Sequence, residues 1–117
     1  MSVINMLPSG GGTTLAKKAS GGASSEGNYT VRYTCPRAGL YMLIVAGAAT
    51  NTRTINTPSI TDGSVLASET VLDNTRDEAE ALTKAFVIRA NSANAEITCS
   101  TRFSGYMTNK YMVFALE

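Results

Sequence analysis

The chain contains no histidine and no tryptophan, only two cysteines and three prolines, and its charged residues make up just 16% of the total. Each shortage removes a class of function. Without histidine, the usual serine triad and any cysteine–histidine pair are unavailable, and a four-ligand zinc site from one chain lacks its donors. No Gly-x-Ser-x-Gly elbow occurs. Cys35 and Cys99 form no CxxC pair, and each lies in a strand-like run on the parity of apolar neighbours. They read as buried free thiols, with a disulfide as the open alternative. The net charge is +1 and the pI about 7.7, with Lys17-Lys18 the only adjacent basic pair, so the electrostatic footprint of a nucleic-acid or anionic-membrane binder is missing. No run approaches the roughly 18 consecutive apolar residues of a membrane-spanning helix. The opening MSVINMLPSGGGTTLAKK lacks the basic start and apolar core of a secretory signal. The expectation is a protein that neither inserts in a membrane nor is exported.

Ser, Thr and Asn together supply 34 of the 117 residues, so the surface is neutral and hydroxyl-rich, a composition that suits half-exposed strands. Residues 1–27 carry Gly10-Gly11-Gly12 and Gly21-Gly22 with little that is apolar after Leu15, which reads as a flexible arm. A phosphate loop in SGGGTTLAKK fails on spacing, because its lysines follow Ala16 rather than a glycine. From residue 28 the period becomes two, with Tyr29, Val31, Tyr33 and Cys35 on one face and Thr30, Arg32 and Thr34 on the other: a half-buried strand. Pro36 and Gly39 then form a tight connection that suits a hairpin. Leu40 to Ala49 follows as a strand with Leu40, Met42, Ile44 and Ala46 on one side and Tyr41, Leu43 and Val45 on the other. Both of its faces are apolar.

Pro58 demotes residues 50–61 to an edge or broken strand, and Asp62-Gly63 is a second hairpin signal. Ser64 to Leu72 alternates. Residues 78–90 are ambiguous: Glu80 and Lys84 at i,i+4 suit a helical turn, whereas Phe86 and Ile88 with their neighbours suit a strand from about Leu82. Ile97, Cys99 and Thr101 share one face of a further strand. Tyr111 to Leu116 ends the chain as a second two-faced apolar run, expected to lie centrally. Seven or eight short strands with Gly, Pro, Asn and Asp between them predict an all-β fold, an antiparallel two-sheet sandwich or jelly roll over residues 28–117 behind the N-terminal arm. Two strands that are apolar on both faces exceed what one core covers, which predicts self-association.

Asp73, Asp77, Glu78 and Glu80 are the densest carboxylates. They read as a solvated turn, with no apolar flank to raise a pKa and no Asp-x-Asp-x-Asp-Gly calcium spacing. No cofactor or metal is expected, and no enzyme activity. Asn28-Tyr29-Thr30 matches a glycosylation sequon without an export signal to make use of it. Among the tyrosines, Tyr106 beside Gly105 in a bend is the candidate for exposed ligand contact, such as stacking on a sugar.

The run GNYTVRYTCPRAGLYMLIVAGAA resembles the strand-turn-strand of the jelly-roll superfamily of the complement-component globular head and tumour necrosis factor. It has an aromatic-x-aromatic strand, a Pro and a Gly, and then a Tyr-containing apolar strand. The closing KYMVFAL is similar to that superfamily's last strand. The resemblance implies a compact homotrimer packed through aromatic and aliphatic residues on a threefold axis. Carried over by position, it places Tyr41, Leu43, Val45, Tyr111 and Val113, or their alternate-parity neighbours, at the subunit interface. The same jelly roll serves phage tail-fibre tips and virion appendages, and the missing collagen repeat, signal peptide and Trp set this chain apart from the secreted members. The function expected is a non-enzymatic homotrimeric structural or receptor-binding component of a phage virion, assembled in the bacterial cytoplasm. Its partners would be its own copies, with other virion proteins or a host-surface glycan as contacts. A carbohydrate-binding module is the alternative.

Overall fold

The computed structural model describes residues 14–23, 27–49, 51–74, 80–105 and 108–117. Every regular element among them is a β-strand: β1 (Leu15–Ala23), β2 (Gly27–Thr34), β3 (Gly39–Ala49), β4 (Arg53–Ile55), β5 (Ser59–Ile60), β6 (Gly63–Asn74), β7 (Glu80–Ala90), β8 (Glu96–Phe103) and β9 (Thr108–Leu116). They form two antiparallel sheets. The larger has the order β1-β9-β3-β7-β6, and the smaller the order β2-β8-β4, with β5 also on β8. From β1 to β4 the chain changes sheet at each step, giving a jelly-roll-like sandwich in which, among the described strands, only β6 and β7 are sequence neighbours that pair.

The core lies between the sheets and takes one parity from each strand. Leu43 and Val45 of β3, Val113 of β9 and Ile88 of β7 meet Ile97 and Cys99 of β8, all fully buried. Phe86 and Phe103 supply the largest side chains at the centre. Gly47 makes room for one of them. A Cβ there would stand 2.4 Å from the Phe103 ring, so the ring lies directly against the β3 backbone.

Three sequence expectations change. Pro36 to Gly39 does not close a hairpin: β2 pairs β8 while β3 pairs β7 and β9. The turn is an arch between the sheets, and the rings of Tyr33 and Tyr41 at its two ends meet at 5.9 Å. Both strands have an apolar face to bury, and stacking face to face buries the two against each other, whereas lying side by side would not. Gly39 has φ 148°, a left-handed value that favours glycine. The Asp62–Gly63 turn is likewise an arch, from β5 on β8 to β6 on β7. Finally, the sandwich begins before residue 28. Leu15–Ala23, within the stretch read as an arm, is an edge strand hydrogen-bonded to β9, and Thr14 and Glu117 exchange backbone hydrogen bonds of 2.8 and 2.7 Å.

Other expectations hold. The ambiguous segment is strand from Glu80 to Ala90. Pro58 separates β4 from β5 at the edge of the smaller sheet. The terminal strand β9 lies inside its sheet, between β1 and β3.

Candidate assembly face

The residues that face away from the core on the larger sheet line up across its strands. One row reads Lys17, Phe114, Met42, Val87, Ala67, and the next Ser20, Met112, Ile44, Ala85, Glu69. A third reads Gly22, Lys110, Ala46, Thr83, Leu72. The middle of this face is therefore an unbroken apolar block, with charge only at its margins. Met112 remains 38% exposed, while Met42, Ile44, Val87 and Phe114 are half-buried by one another. On the β1 side the face dips into a concavity of about 690 Å³ with Gly22 and Ala46 among its lining residues and Lys17 and Lys110 also lining it.

The outward residues of the smaller sheet run in the same way but differ in kind: Asn28 beside Arg102 and Thr54, Thr30 beside Ser100, and Arg32 beside Thr98 and Ser59. This face is polar throughout. Its chemistry is that of an ordinary solvated sheet surface.

The residues expected at a subunit interface fall elsewhere. Tyr41, Leu43, Val45 and Val113 are at most 3% exposed and point into the sandwich. Tyr111 is half-buried there, with its ring 6.4 Å from that of Tyr29. The second sheet covers this parity, so the outer face of the larger sheet carries the alternate-parity set of Leu40, Met42, Ile44, Ala46, Met112 and Phe114. Tyr106 lies outside the described residues.

Polar groups inside the sandwich are held mostly by hydrogen bonds between the strands, with Asn109 Oδ1 left as a buried acceptor without a partner. Cys35 and Cys99 are both free and buried, which answers the open question of their pairing. Burial pushes the Cys99 thiol up to about 11, and its Sγ donates to the Asn56 carbonyl at 3.3 Å. Burial also raises Cys35. Neither thiol is activated as a nucleophile. Lys84, on the inner parity of β7, donates to the Ile55 carbonyl of the opposite sheet at 3.0 Å. Asn109 donates to Thr101 Oγ1 at 2.6 Å, and Thr101 in turn donates to the Tyr29 carbonyl at 2.9 Å.

Of the acidic group, Asp73 pairs with Arg53 at 2.8 Å. Asp77 and Glu78 lie outside the described residues, as does the side chain of Glu80. Among the described residues no three His, Cys, Asp or Glu side chains converge as a metal site. Glu117 binds Lys18 and, at 3.4 Å, Arg37. The hydrogen bond from Lys18 holds its carboxyl below the usual range.

Comparison with known proteins adds no neighbour. No family model, no curated protein and no solved structure matches this chain.

Proposed function

We propose that this protein is a non-enzymatic homotrimeric structural or receptor-binding component, part of a phage virion or tail appendage, whose subunits join through the outer face of the larger sheet. The observation that carries the reading is the apolar block across β9, β3 and β7. Apolar surface contributes about 25 cal/mol per Å² when it is removed from water, and contiguous patches of this kind mark interaction sites. The chain's own second sheet is committed to the opposite face, and among the described residues no other element lies over this one. The polar outer face of the smaller sheet is then turned outward, where it is available to other virion proteins or to a host-surface glycan.

Multi-angle light scattering on the purified chain at micromolar concentration tests the proposal. The expected mass is three times that of the chain. A monomer that persists as concentration rises removes the reading.

A further inference from the structure

The two edges of the larger sheet differ in shape and in charge. At the β1 edge lies the concavity lined by Lys17 and Lys110. At the other edge β6 runs beyond the smaller sheet, and every residue from Leu66 to Asn74 is exposed. Two irregularities in its pairing with β7, at Leu66 and Val71, push side chains out of register. Leu66 and Val71, at the irregularities, stand 49% and 64% exposed, and Leu72, paired opposite Thr83 on the outer face, 47%. These bulges also block simple edge-to-edge strand addition, a common use of such irregularities. Glu69 sits among these side chains on the outer face, opposite Ala85. Among the described residues, neither Glu69 nor Lys17 nor Lys110 belongs to an ion pair.

Resting on the reading that the outer face is a subunit interface, we infer that the contact is heterologous: the projecting β6 edge of one copy, with Leu72, Val71 and Glu69, seats in the Lys17/Lys110 concavity of the next. The occupant is a second copy of this chain. Projection and concavity lie on opposite edges of one sheet. A twofold axis across the strands would bring like to like, Glu69 to Glu69 or Lys110 to Lys110, and one along the strands would join unlike edges twice and close a dimer rather than the proposed trimer. Joining unlike edges satisfies both shape and charge, and the contact repeats from copy to copy until a ring closes.

Cysteine pairs test this on the full chain. Within one copy Leu72 and Ser20 lie four strand spacings apart, roughly 19 Å, beyond a short bismaleimide, and the native cysteines are buried. In Leu72→Cys/Ser20→Cys the reagent is expected to give a covalent ladder ending at the trimer, with neither single variant cross-linking. A covalent dimer from Leu72→Cys alone, or an intact assembly that yields no ladder, overturns the inference while leaving the subunit-interface reading standing. A wild-type monomer overturns both. As a second readout, Glu69→Lys and Lys110→Glu should each weaken assembly on the order of tenfold at low salt, and the double exchange should restore it. Failure of that rescue with both singles impaired also counts against the contact.

Discussion

The two outward faces of this sandwich are built on the same pleat and carry opposite chemistry. On β2 and β8 each inward apolar residue alternates with an outward Thr, Ser, Asn, Arg or Glu, so Val31 and Ile97 face in while Thr30 and Thr98 face out. On β3 and β9 the alternation fails: Leu43 and Val113 face in, yet Ile44 and Met112 face out. Both sheets bury one side against the other, so the fold itself requires nothing apolar on either outer face. The outward residues of β3 and β9 are therefore the part of the molecule that the packing of the two sheets does not account for.

The largest effect should separate the two sides of β3. Leu43→Asp places an unpaired carboxylate in the core and is expected to cost on the order of 5 kcal/mol or more, so circular dichroism and thermal melting should report an unfolded chain. Its neighbour Ile44→Asp should leave the subunit folded but weaken assembly by about 100-fold or more, because the charge must then be buried without a partner in the interface. Sedimentation velocity reads this directly. Folded monomers from Ile44→Asp beside unfolded Leu43→Asp would establish the contrast, and equal unfolding of both would break it.

Alkali should act on the interior that the two sheets share. The Cys99 thiol titrates near 9 when the chain is unfolded and at about 11 when it is folded. The folded state therefore holds the proton between those values, and its stability is complete below pH 9 and falls as pH rises to 11. The shift corresponds to roughly 2–3 kcal/mol. Burial also raises Tyr33, Tyr41 and Cys35, and these contribute in the same direction. Denaturant unfolding at pH 8 and pH 11 should show the loss, and Cys99→Val should flatten it. The smallest effect belongs to the polar face. Thr98→Asp should change neither assembly nor stability by more than about 0.5 kcal/mol, and a dissociated Thr98→Asp protein would place the interface on the wrong sheet.

What could be read from the sequence followed its periodicity. β2 and β8 alternate cleanly, so their inward faces were legible residue by residue, and the double-faced character of β3 and β9 pointed to a second contact surface. Which parity would lie on the outer face was not legible, because Tyr41, Leu43 and Val45 are as apolar as Met42 and Ile44, and only the position of the smaller sheet breaks the tie. The turns at Pro36–Gly39 and Asp62–Gly63 were recognisable as turns, but the same few residues serve a hairpin or an arch. β1 was hidden for two reasons. Its hold on β9 is mainly backbone hydrogen bonding, which carries no residue signature, and the register shift between Lys17 and Ala19 breaks the alternation of its small residues.

The Phe103 ring resting on Gly47 ties two positions together across the sandwich. Seen as inheritance, neither site is free to drift alone. A side chain at 47 would evict the ring, and a smaller residue at 103 would leave a hole above a bare backbone. The two can exchange bulk only in concert, so Gly47→Ala should be tolerated in the company of Phe103→Leu and resisted without it. Any lineage that carries this sandwich would keep that pair as a matched set.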